Sequence, residues 1–171
     1  MLAKTDTDFA PWTIVEATDK RYAAVKIYKT VIHALETAVK KQPEPDETAP
    51  ELDEKKTESV LNKADLSLAY TKEEYEKKKK KLQKELTRLH GELYRRRIPM
   101  ILGFEGWDAG GKGGAIKRLT QALDPRGYVV IPTAAPNDWE KKHHYLWRFW
   151  VKMPKKGHIT IFDRTWYGRV M

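Results

Sequence analysis

At 171 residues, with no cysteine, the chain is long enough for one domain with a real core or for pieces of two, and it can carry neither a disulfide framework nor a thiolate metal centre. Its charge is uneven: residues 1–70 hold 10 basic and 13 acidic side chains and residues 71–171 hold 23 and 11, a net −3 against +12. The second part therefore favours a polyanionic partner, whether an inorganic phosphate polymer, a nucleotide or a nucleic acid. No basic-then-apolar leader opens the sequence and no window approaches the roughly 18 apolar residues of a membrane span, so a soluble, cytoplasmic protein without a membrane partner is expected.

In chain order, residues 1–8 are polar and expected to fray. Phe9 to Glu16, rich in aromatic and β-branched residues, predicts a short strand centred on Trp12 to Glu16. Thr18 or Asp19 can cap a helix from Lys20 to about Lys41, because Ala24, Ile27, Val31, Ile32, Leu35, Ala38 and Val39 recur at steps of three and four. Residues 42–57 contain Pro43, Pro45 and Pro50 among many carboxylates and read as an acidic linker between segments 1–41 and 58–171. Thr71 to Glu74 is a capping box, followed by an apolar stripe of Tyr75, Leu82, Leu86, Leu89 and Leu93 to about Arg96. The lysine run Lys77 to Lys81 points all around that helix, and a solvated face is favoured over a nucleic-acid patch.

The apolar run Ile98 to Phe104 leads into Gly106 to Gly114, GWDAGGKGG. Gly106, Gly111 and Lys112 fit the strand–GxxxxGK–helix spacing of a phosphate-binding loop of the Walker A type. In such a loop Gly106, Gly110, Gly111, Gly113 and Gly114 let backbone N–H groups curl around phosphate, Lys112 adds a point charge, and the following helix turns its positive end to the anion. Gly113 stands where the pattern wants a Ser or Thr for magnesium, which shifts metal binding to the loop carboxylate Asp108. Ile116, Leu119, Ala122 and Leu123 face inward on the loop helix. Tyr128 to Ile131 is a second strand whose unbroken apolar run suits a sheet covered on both faces, and Pro132 to Asn137 is a loop at its carboxyl end.

Asp138 can cap the next helix, with Leu146, Phe149, Trp150 and Met153 on its core face and Lys141, Tyr145, Arg148 and Lys152 on the other. Arg118 and Arg148 are the further phosphate-contact candidates. Adjacent His143 and His144 point about 100° apart on a helix and do not chelate one metal. His158 to Asp163 is a third strand ending in a carboxylate, where magnesium bridging phosphate oxygens needs a hard ligand, and Arg164 follows at once.

The stretches GWDAGGKGGAIKRL, HHYLWRFW and HITIFDRTWYGRV closely resemble the polyphosphate kinase 2 family, from about Ser59 through Met171. The resemblance implies an α/β phosphate-loop kinase fold with a parallel sheet between helices, and phosphoryl transfer between inorganic polyphosphate and a nucleotide. It assigns Asp108 and Lys112 to a first catalytic motif and Asp163 and Arg164 to a second, with Mg²⁺ as cofactor. The family pattern usually has alanine where Gly110 stands, a change expected to add loop flexibility without abolishing phosphate binding.

Asp8 to Ala23 is similar to the carboxyl-terminal strand and helix of the same family. That reversed order matches the junction of two tandem domains, and tandem members make ADP from AMP. An AMP- or ADP-type nucleotide is therefore the expected partner beside polyphosphate, and a homo-oligomer is compatible with these readings. An ATP-dependent nucleotide or nucleoside kinase is the alternative, and a nucleic-acid-binding module a weaker one. With three strands after the linker and no lid, the fold is expected to be incomplete and slow or inactive alone, and Trp12 to Glu16 to stay unpaired rather than join the sheet of Met100 to Phe104.

Overall fold

A computed structural model describes residues 5–7, 11–40 and 64–169; the linker expected over 42–57 lies outside the described residues. Helix α1 spans Lys20–Lys40. Asp19 starts it, accepting from the N–H groups of Arg21 and Tyr22 at 2.8 and 2.6 Å, so Asp19 and not Thr18 is the cap. Helix α2, Lys72–Arg96, begins at the expected capping box, with the Glu74 N–H donating to Thr71 Oγ1 at 3.3 Å and the Thr71 N–H donating to the Glu74 carboxylate at 3.2 Å. It stops where Arg97 turns left-handed. Of the lysine run, Lys79 pairs with Glu76 at 3.2 Å and Lys78 sits over the Tyr70 ring at 4.7 Å, both local contacts.

Strand β1 (Met100–Phe104), helix α3 (Lys112–Thr120), strand β2 (Tyr128–Pro132), the single turn α4 (Trp147–Trp150) and strand β3 (Ile159–Asp163) follow. The three strands pair in parallel in the order β1-β3-β2, so the last strand is central. This is the expected α/β class. One sheet face lies against the helices: Ile27, Tyr28, Val31, Ile32 and Leu35 of α1, Leu86, Leu89 and Leu93 of α2, Ile116 and Leu119 of α3, and Ile159 and Ile161 of β3 form one buried cluster. Most of the periodic stripe of each long helix is in it, as their spacing requires, while Ala24 and Tyr75 form a second, smaller cluster with Val25. Tyr28 ties three helices together, donating its hydroxyl hydrogen to the Arg118 carbonyl and accepting from Gln83 Nε2 at 3.1 Å. Arg96 donates to the Val39 carbonyl in the last turn of α1, where a cation complements the helix dipole.

Among the described residues, the opposite sheet face is covered mainly at its centre. Phe162 meets Phe149 and Trp166 edge-on at 5.7 and 5.8 Å, and the Thr160 hydroxyl donates to the Lys152 carbonyl at 3.0 Å. Ile101 and Val129, on the two edge strands, remain 42% and 46% exposed. The expectation that β2 is covered on both faces is thus corrected: α4 and the chain around it reach β3 and stop short of the edges. Among the described residues no helix is long and apolar enough to cross a membrane.

Three further expectations change. Trp12 to Glu16 forms no strand, because its groups are taken elsewhere: the Trp12 N–H donates to Asp6 at 2.8 Å, its ring meets Tyr167 edge-on at 5.0 Å, and Glu16 pairs with Lys26 at 2.5 Å. The same contacts hold Thr5 and Asp6, so these two residues are not frayed. The helix expected after Asp138 is broken into a 3₁₀ turn, Glu140–Lys142, and α4. Asn137, not Asp138, fastens the start of this stretch, exchanging 2.8 and 2.9 Å hydrogen bonds with Glu140. His143 leaves helical geometry and stacks on Trp147 with ring centroids 4.1 Å apart. Phe149 alone of the expected core face is fully buried, while Trp150 and Met153 are exposed.

Because α1 shares the core of the sheet, Leu35→Ala should lower the stability of the whole assembly by about 2–5 kcal/mol and keep one unfolding transition; denaturant unfolding followed by sheet and helix signals checks this. His90 gives a second expectation. It is 4% exposed, its Nδ1 accepts from the Asp124 N–H at 3.2 Å, and burial pushes its pKa below the usual 6.5 despite opposing help from Gly127 and Asp124. A depressed histidine adds stability that is full above 6.5 and is lost as pH falls through the lowered folded value. Stability should therefore decline as pH falls from 6.5 toward that lowered value and level off below it, and His90→Asn, whose Oδ1 can accept the same N–H, should flatten that part of the profile.

Candidate functional site

The parallel register aligns Phe104, Asp163 and Pro132 at the carboxyl ends of their strands. Residues 105–111 leave β1 and close onto α3, whose N-cap is Gly111 at φ 86° with no side-chain cap. The first N–H groups of α3 are therefore open toward the loop, a ready anion site. Two non-glycine residues here are also left-handed, Ala109 at φ 59° and Arg164 at φ 66°. Such conformations cost on the order of 1–3 kcal/mol each and persist only where surrounding structure over-determines them.

A cleft of about 340 Å³ is lined by Asp108, Ala109, Gly110, Gly111, Lys112, Gly113, Asp163 and Arg164. Most of the sequence candidates therefore meet in one place although about 50 residues separate the two groups. Lys112 Nζ folds across the loop and donates to the carbonyls of Gly106 and Trp107, both at 2.8 Å. Arg164 Nη2 donates to Asp108 Oδ1 at 2.8 Å, an exposed pair worth about 1 kcal/mol at most. Arg164 N–H extends the ladder to the Phe104 carbonyl at 2.9 Å, and Thr133 N–H reaches the Asp163 carbonyl at 3.0 Å.

Other candidates stand outside this lining. Gly106 contributes its carbonyl to Lys112, and Gly114 contributes its carbonyl to Arg118 Nη1 at 3.0 Å, which folds that guanidinium along its own helix. Arg148 pairs with Glu140 at 3.4 Å beside a separate cavity of about 110 Å³, which Lys141, His143 and Tyr145 also line. Asp108 and Asp163 both face the main cleft; among the described residues no group of three or more metal-ligating side chains occurs. Two carboxylates with room for water and phosphate oxygens suit magnesium, a hard ion that keeps several waters.

Glu105 was missed by the sequence reading. It lies directly before the loop, and its Oε1 accepts from the Thr165 N–H and hydroxyl at 2.7 Å each and from the Gly168 N–H at 3.3 Å. Its one sequence signal is a lone carboxylate placed between an apolar strand and a glycine loop.

The model of the family Polyphosphate kinase 2 (PPK2) matches residues 1–43 and 69–171. The polyphosphate:AMP phosphotransferases of Pseudomonas syringae pv. tomato and Pseudomonas aeruginosa are each 40% identical to this chain, across 100% of it and 35% of their own length. The crystal structure of a candidate polyphosphate kinase 2 from Pseudomonas aeruginosa superimposes with TM-score 0.63 and 38% identity, over 99% of this chain and 34% of that one. That of polyphosphate kinase 2 from Arthrobacter aurescens gives 0.60 and 26%, over 68% and 44%. The chain thus spans about a third of the length of the curated relatives it matches.

Both Gly111 and Gly113 have room for a methyl group, but only Gly111 is left-handed. Gly111→Ala should lower stability by about 1 kcal/mol, whereas Gly113→Ala should raise it by roughly 0.5 kcal/mol; opposite shifts of the denaturation midpoint are the expected readout.

Proposed function

This chain belongs to the polyphosphate kinase 2 family, and from that premise we propose that its glycine loop and the end of β3 form the phosphoryl-transfer site of a polyphosphate:nucleotide phosphotransferase that converts AMP to ADP. The observation that carries the reading is the single cleft uniting Asp108–Gly113 with Asp163 and Arg164. The choice of AMP is supported by the names of the relatives matched across the whole chain. A cytoplasmic location belongs to the same reading.

Phosphoryl transfer needs in-line placement and neutralised oxygens more than covalent help from the protein. The open N–H groups of α3 bind terminal phosphates of the polymer, and Lys112 exchanges its two carbonyl partners for phosphate oxygens. Arg164, beside Asp163 and already turned toward Asp108, balances charge on the group in flight. The AMP phosphate is itself anionic, so it attacks the terminal phosphorus of the polymer without a base, the bridging P–O bond to the next phosphate breaks, and the shortened polymer leaves as the anion. Asp108 and Asp163 are the residues that would hold magnesium, and a bound magnesium ion neutralises charge on phosphate oxygens.

Tripolyphosphate binding by calorimetry and ADP formation from AMP test the proposal. Lys112→Ala should weaken both by orders of magnitude with the melting curve little changed, since its present acceptors are two backbone carbonyls; a mutant that binds like the parent overturns the assignment. ATP replacing polyphosphate as the effective donor would overturn the substrate class alone. Asp163→Asn should raise the magnesium concentration needed for tripolyphosphate binding, and superimposed metal titrations would make Asp163 structural.

A further inference from the structure

Arg164 is fixed in the cleft by its backbone more than by its ion pair. Its backbone is left-handed at φ 66°, and among the described residues its side chain is held by the exposed contact to Asp108. Two hydrogen bonds bracket it: its own N–H on the Phe104 carbonyl, and the next N–H, of Thr165, on Glu105. Thr165 is 5% exposed, and its hydroxyl hydrogen goes to the same Glu105 oxygen while its hydroxyl oxygen accepts from the Tyr167 N–H at 3.2 Å. Glycines clear the space for this knot. A Cβ at Gly103 would fall 2.8 Å from the Thr165 methyl, and one at Gly168 would fall 3.3 Å from Glu105 Oε1.

We infer that Glu105 is a positioning residue which fastens the segment after β3 to the root of the glycine loop and so sets where the Arg164 guanidinium meets phosphate. The inference rests on the phosphate-site reading above. Glu105 is one residue before Gly106 and grips the residue after Arg164, so it spans both halves of the cleft without lining it. A carboxylate suits this place because its acceptor bonds are charge-assisted and about twice as strong as neutral ones. Without them Arg164 relaxes from the left-handed region, and its side chain leaves the cleft while the glycine loop keeps its own shape.

A double-mutant cycle on tripolyphosphate binding by the full chain tests this, because a purely structural residue would not couple to an arginine it does not touch. Arg164→Ala and Glu105→Ala should each weaken binding on the order of tenfold, and the double mutant should be little weaker than either. Glu105→Gln, which keeps an acceptor oxygen, should recover part of the loss and carries the same cycle if Glu105→Ala does not fold. Losses that multiply, or a Glu105 variant that binds like the parent, overturn the inference and leave the phosphate site standing. Failure of the unmodified chain to bind tripolyphosphate overturns the phosphate reading, and the inference with it.

Discussion

Parallel pairing of β3 with both neighbours brings Phe104, Asp163 and Pro132 to one level. Two segments distant in sequence, 105–113 and 163–168, therefore leave the sheet side by side. Burial fixes this register: Ile159, Thr160, Ile161 and Phe162 are all buried, alternating between the helical core and the aromatic patch around Phe149. A slip of one residue would exchange the two faces, setting Thr160 among leucines and removing Phe162 from its aromatic partners. The cleft is thus a consequence of the central strand's packing rather than of any contact between the cleft residues themselves.

Those contacts are of a different kind. Lys112 rests on two carbonyls and Arg164 on one exposed carboxylate. Exposed pairs add little to stability, so breaking them to admit an anion costs the fold little. The fastenings that hold the backbone, by contrast, lie away from solvent: Thr165 on Glu105, and Tyr28 on Arg118 and Gln83. Rigid and exchangeable interactions are separated by burial, which lets cations change partner over a backbone that stays put.

Features encoded by local spacing were legible in the sequence. The stripes of α1 and α2, the Thr71–Glu74 box, the glycine loop and the carboxylate ending β3 each depend on residues within a few positions of one another. What failed was the choice of partner, near or far along the chain. Trp12 to Glu16 has strand composition, but Asp6 and Tyr167 take its groups instead of a neighbouring strand. The stretch around His143 keeps helical periodicity, yet stacking on Trp147 breaks the helix. Glu105 finds its donors 60 and 63 residues downstream, beyond the reach of any motif.

The share of α1 in the core bears directly on the cleft. Helix α3 has nine residues, too few to be stable alone in water, so its axis is set by what it packs against. Ile116 and Leu119 are buried in the cluster that α1 and α2 build, and the Tyr28 hydroxyl holds the Arg118 carbonyl near its carboxyl end. The far end of the same helix is the one whose open N–H groups face the glycine loop. Pinning one end of so short a rod fixes the direction of the other, so residues 20–40, which contribute nothing to the lining of the cleft, help set where its dipole points.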